Sequence, residues 1–133
     1  SFFTLAYCRI ATSPDGSSSL HLPRADGIKK AMEIALLGDR FTAQEAKDMG
    51  MINFVAPAGT LDKETQDLAI RLAEGPTHVY GNTKKLFYAS LESEFETQLQ
   101  MEAEMFSDCA KRNDFQEGIA AFIDKRKPDF KGN

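Results

Sequence analysis

The 133-residue chain has no tryptophan, two cysteines, two histidines, five prolines and no excess of positive charge. Each shortage removes a class of protein. Cys8 and Cys109 lie far apart and fit no metal-ligand spacing, so neither a disulfide framework nor a metal site is expected, and a reducing compartment is. Sixteen basic residues against twenty acidic ones leave a net charge of −4, which argues against nucleic acid as a partner. No apolar run approaches the roughly 18–20 residues of a membrane-spanning helix. The opening "SFFTLAYCRI" has neither the basic start nor the length of a signal peptide. No membrane partner and a cytoplasmic location are therefore expected, with the mitochondrial matrix or a peroxisome as alternatives; the closing "KGN" is a poor peroxisomal address. What is present, 42% apolar and 27% charged residues, is the balance of one modest soluble domain.

The apolar and aromatic run "FFTLAYC" reads as a buried strand, and "SPDGS" as turn chemistry. "GIKKAMEIALLG" has helical spacing, with Ile28, Ala31, Met32, Ala35 and Leu36 on one face and Gly38 as a C-terminal stop. Thr42 and Glu45 have the spacing of a capping box for a short helix stopped by Gly50. "MINFVAP" reads as a short strand ended by Pro57. From Thr60 the pattern is helical, with stops at Gly75 and Pro128, a Pro76 start, and a second cap signal at Asp114 and Glu117. The expected organisation is an α/β layer over residues 1–57 and a helical region over 58–133 that covers a surface, a partner subunit being a reasonable supplier. Residues 92–108 carry six acids and no base, whereas Lys111, Arg112, Lys125, Arg126, Lys127 and Lys131 crowd the end. Both are read as solvated helix faces, or the basic end as an anion site.

Three segments, "PDGSSSLHLPR", "AMEIALLGDRFTAQEAKDMGMINFVAP" and "DFQEGIAAFIDKRKPDFKG", occur in the order and spacing of the crotonase, or enoyl-CoA hydratase/isomerase, superfamily. The resemblance covers nearly the whole chain. It implies the C-terminal part of a spiral of ββα units followed by a helical trimerisation region, in a homotrimer or a hexamer. It further implies an acyl-CoA substrate, with coenzyme A entering as part of the thioester and no separate cofactor. Only the family's second half is matched. The two N–H donors of the oxyanion hole and the bend that receives the adenine belong to the half upstream, so a fragment, inactive by itself, is expected.

Within that resemblance, Tyr7 falls where the hydratases carry a glutamate, and a phenol with an ordinary pKa of about 10 is a poor replacement for a carboxylate. Asp15 falls where the Δ3,Δ2-enoyl-CoA isomerases keep the single acid that moves a proton from C2 to C4. Read locally, Asp15 is equally a turn residue or the cap of a helix starting near Ser17. The resemblance implies a catalytic Asp15, and Tyr7 and His21 bordering the acyl pocket. "AFIDK" places Phe122 and Lys125 three apart on one helix face. The resemblance implies that they touch the adenine and a phosphate of coenzyme A in a neighbouring subunit; packing and a solvated charge are the local alternatives. A hydratase, an acyl-CoA dehalogenase with Asp15 as nucleophile, and a non-catalytic assembly module stay open beside the isomerase.

Overall fold

The computed structural model describes all 133 residues, in two compact units, Ser1–Gly59 and Thr60–Asn133. In the first, strand β1 (Phe2–Phe3) is followed by a 3₁₀ turn (Ala6–Ile10) and helices α1 (Ser18–Asp26) and α2 (Ile28–Leu37). Strand β2 (Phe41–Thr42) and the short helix α3 (Ala43–Asp48) complete it. The second unit is α4 (Leu61–Ala73), α5 (Thr77–Ala89), α6 (Phe95–Ala110) and α7 (Asn113–Asp124).

Strand content is less than the sequence predicts, for one reason. A strand needs a partner for its backbone groups along its whole length. The only ladder is the antiparallel β1–β2 pair, Phe2 opposite Thr42 and Phe3 opposite Phe41, with the Phe3 and Phe41 rings stacked at 5.8 Å. Beyond it the expected strand over 2–8 winds into the 3₁₀ turn, closed by Ala11 in the left-handed region at φ +56°. The expected strand over 51–57 finds no partner and stays irregular.

Local signals for helices fare better. Thr42 and Glu45 form the expected reciprocal capping box: the Thr42 hydroxyl accepts the Glu45 N–H at 3.2 Å, and the Glu45 carboxylate accepts the Thr42 N–H at 2.7 Å. α1 differs at its start: Ser17 precedes it at φ +65° without a side-chain cap, and the helix runs on through Pro23. α2 buries Ala31 and Ile34 against Leu22, with Leu5, Phe41, Met49 and Met51 packed around them. Ile28, Met32 and Leu36, expected on its buried face, stay 61, 53 and 68% exposed.

Gly38 stops α2 in the left-handed region at φ +62°. Its carbonyl accepts the Thr4 hydroxyl at 3.0 Å and the Arg9 guanidinium at 2.8 Å, tying the N-terminal segment to the helix end. A Cβ there would lie 2.6 Å from Cys8 Sγ and 3.3 Å from the Leu5 carbonyl oxygen.

In the second unit, the expected cap of α7 is replaced by something longer in range. Arg112 holds the cap position without a side-chain bond. The buried Asp114 carboxylate instead accepts the N–H groups of Lys131 and Gly132 at 2.7 and 2.8 Å. The Glu117 carboxylate accepts both terminal nitrogens of Arg126, at 2.6 and 2.8 Å, and the Asp129 N–H at 2.7 Å. α7 ends at Asp124, with Lys125 left-handed at φ +53°, before Pro128 is reached.

Two outcomes are expected. Gly38→Ala lowers stability by at least about 1 kcal/mol in chemical denaturation, since alanine meets both a strained backbone and the Cys8 sulfur. The Arg126 guanidinium and the Asp129 N–H hold the Glu117 carboxyl down at about 2 from an ordinary 4.5. A depressed carboxylate stabilises the fold above its unfolded value, so this contribution is complete at neutral pH and lost as pH falls from about 4.5 toward 2. Glu117→Gln therefore lowers the melting temperature at pH 7 and flattens its fall across that window.

Candidate functional site

Tyr7 is carried by the 3₁₀ turn and Asp15 by the turn that feeds α1. The Asp15 carbonyl accepts the Ser18 N–H at 3.0 Å and the Ser18 hydroxyl at 2.7 Å, which fixes the residue at the entry to the helix. Its carboxylate does not cap α1. Oδ1 accepts the Tyr7 hydroxyl at 2.5 Å, across eight residues of chain. That bond and the carboxylate's charge raise the phenol above its ordinary 10, while the Asp15 N–H and the Ser18 hydroxyl pull the other way by less. At neutral pH Tyr7 is a fixed donor.

An apolar cavity of about 190 Å³ opens beside this turn, with Leu5, Pro14, Ser18, Leu22, Ile28 and Met32 in its wall. Pro14 and Ser18 therefore bring the cavity next to Asp15. Neither Tyr7 nor His21 is part of that wall. His21 is exposed, and the serines engage local carbonyls: Ser17 Oγ donates to Gly16 and Ser18 Oγ to Asp15. No nucleophile–histidine pair arises there.

Phe122 and Lys125 lie in the second unit. Phe122 is 84% exposed. Lys125 has left the helix, so the shared helical face expected from their spacing is absent, although its ammonium pairs with no acid. Four of the six basic residues at this end are paired with acids. Arg126 is held by Glu117 and Asp124, Lys131 by Asp129, Lys127 by Glu74, and Arg112 by Asp108.

Two features were missed by sequence reasoning. The first is a polar cluster between α5 and α6. Asp108 Oδ2 lies 2.5 Å from His78 Nε2, its other oxygen accepts from Arg112 at 3.1 Å, and their pull holds the carboxyl well below the usual range. The buried Asn82 amide reaches His78, Asp108 and Cys109 Sγ at 3.2, 3.1 and 3.5 Å. The donor atoms of His78, Asp108 and Cys109 gather within 4.8 Å of one another. With an amide N–H₂ at the point of convergence and a guanidinium alongside, the cluster is a satisfied hydrogen-bond network. The four-residue steps from His78 to Asn82 and from Asp108 to Arg112 were its only sequence signal. The second is Asp26, whose carboxylate oxygens are buried without a partner, so that burial pushes its pKa up.

The enoyl-CoA hydratase/isomerase family model matches residues 1–133. The chain belongs to that family. It is 35% identical over 130 residues to a probable enoyl-CoA hydratase of Rhodobacter capsulatus, covering 98% of this chain and 51% of that protein. It is equally 35% identical to the 1,2-epoxyphenylacetyl-CoA isomerase of Escherichia coli K12, covering 98% and 50%. Among solved structures, an enoyl-CoA hydratase from Bacillus anthracis superposes with a TM-score of 0.92 at 29% identity, over all of this chain and 52% of that one. The chain thus spans about half the length of the curated relatives it matches. Over that span it shares their fold, mostly helical with a small sheet.

The buried cluster has a measurable consequence. Asn82→Ala removes the amide that three side chains share and lowers stability by about 1–3 kcal/mol in denaturant titration.

Proposed function

We propose that the protein to which this chain contributes moves a carbon–carbon double bond of an enoyl-CoA thioester from the Δ3 to the Δ2 position, with Asp15 as the single proton carrier. The observation that carries this reading is the Asp15 carboxylate, uncommitted to the helix it precedes and set beside an apolar cavity sized for part of an acyl chain. The carboxylate takes a proton from C2. The electrons of that C–H bond form the C1=C2 bond of a dienolate as the carbonyl π pair moves onto the thioester oxygen. The same proton then returns to C4: the oxygen pair returns, C1=C2 becomes C2=C3, and the C3=C4 electrons take up the proton. No net proton is consumed. Stabilising the enolate oxygen requires N–H donors, which the family resemblance places in its other half. Coenzyme A enters as part of the substrate, and no separate cofactor is required.

Phe122 and Lys125 are proposed to meet the adenine and a phosphate of coenzyme A bound to a neighbouring copy, in a trimer or hexamer. What supports this is an aromatic ring 84% exposed and a lysine with no acid partner. A hydratase is the second reading, favoured by the name of the Rhodobacter capsulatus relative. Against it stands Tyr7, a phenol where the hydratases carry a carboxylate.

In the intact enzyme, Asp15→Asn is expected to cut turnover of a Δ3-enoyl-CoA by about 100-fold to 10,000-fold, the usual contribution of a positioned acid or base, with coenzyme A binding retained. Unchanged turnover overturns the isomerase reading. Hydration of crotonyl-CoA that is indifferent to Asp15→Asn favours the hydratase.

A further inference from the structure

We infer that Tyr7 is a positioning residue for the proton transfer: its hydroxyl pins Asp15 Oδ1 and so selects Oδ2 as the oxygen that carries the proton. The inference rests on the isomerase reading and adds to it the rule by which one carboxylate serves two carbons.

A free aspartate rotates about its terminal torsion, which is broad and close to two-fold, so its two oxygens are interchangeable. Here they are not. Oδ1 is held by the Tyr7 hydroxyl at 2.5 Å, and the backbone beneath is fixed by the two bonds from Ser18 to the Asp15 carbonyl. Oδ2 is the oxygen that no protein group engages. Tyr7 is itself anchored, because the 3₁₀ turn that bears it closes on Ala11 and Thr12, whose N–H groups reach the Cys8 and Tyr7 carbonyls. The phenol stays protonated and donates throughout, so it neither takes the substrate proton nor lets Oδ1 do so.

The chemistry makes this arrangement consequential. A proton removed from C2 and returned to C4 must stay on its carrier between the two steps. If the carboxyl turns over in that interval, the proton is presented to solvent and exchanges. A carboxyl held by one oxygen keeps the proton on the other, facing the substrate. Tyr7 thus acts on the fate of the proton, and only indirectly on binding.

The test uses the intact enzyme and a Δ3-enoyl-CoA deuterated at C2, with the label followed into C4 of the product. The native enzyme is expected to retain a substantial share of the label. Tyr7→Phe is expected to lower kcat by about 10-fold to 100-fold, the size of a lost hydrogen bond to a charged group, with KM little changed. It is also expected to cut the retained label at least several-fold. Replacing Tyr7 by 4-aminophenylalanine, which keeps the ring and restores a para donor, is expected to recover part of both. The two ring variants pack alike, so the comparison between them is free of any shared folding defect. Loss of kcat with label retention unchanged, or a change confined to KM, overturns the inference and makes Tyr7 a pocket or packing residue. Asp15→Asn separates the two levels. If it is inactive while Tyr7→Phe keeps rate and label, the isomerase reading stands and the positioning role falls; if Asp15→Asn remains fully active, the isomerase reading falls and the positioning role with it.

Discussion

Buried apolar surface is the scarce quantity in this chain. Leu22, Ala31, Ile34, Ala46 and Ala121 are the only buried apolar side chains, and three of the five are alanines. Phe87, Phe95, Phe106 and Phe122 stand 68–84% exposed on the helices of the second unit. At roughly 25 cal/mol per Å² of apolar surface withdrawn from water, alanines contribute little to holding helices together. Hydrogen-bonded carboxylates do much of that ordering here. Glu45 starts α3, Asp108 joins α6 to α5, and Asp114 and Glu117 fasten the segment after α7 back onto it through Arg126, Asp129, Lys131 and Gly132. This chain spans about half of its relatives' length, and these helix faces are apolar surface left open to be covered.

How much of this was legible in the sequence follows the range of each interaction. The Thr42–Glu45 box and the left-handed stop at Gly38 lie within one helical turn of the residues they serve, and both were read correctly. Asp114 and Glu117 carry the same local signature as Thr42 and Glu45, yet their carboxylates turn to backbone groups 12 to 18 residues away. Local spacing cannot tell a cap from a clamp, because a carboxylate accepts an N–H from either direction. The strands at 2–8 and 51–57 failed differently. Their residues have the right propensity, but a strand exists only where a neighbour completes its ladder, and Phe41–Thr42 supplies two residues of it.

The candidate site divides along the same line. Asp15 was singled out because a Pro-Asp-Gly turn in a family context is a sequence motif. Tyr7 was noticed because the family resemblance sets it where the hydratases carry a carboxylate. Its contact with Asp15 was not foreseen, since it depends on the 3₁₀ turn that stands where a strand was expected. In an extended strand successive side chains point to opposite faces, and the chain would have run on past the turn. Winding residues 6–10 keeps Tyr7 beside the loop that follows.

On the proposed function, a phenol at that position has a chemical meaning. Two carboxylates facing one site repel each other, and in a hydratase they share the handling of a water, one as base and one as acid. A phenol beside a carboxylate is a pair with no repulsion and a fixed direction: the hydroxyl donates and Oδ1 accepts. On the proposed function, such a pair leaves one oxygen for a reaction that moves a single proton and returns it. The bond need not be buried to matter: the Tyr7 ring is half-buried and Asp15 is exposed, but Asp15 lies between Pro14 and Ser18 of the cavity wall, and on the proposed function an acyl chain bound there would exclude water and strengthen the hydrogen bond while the proton is in transit.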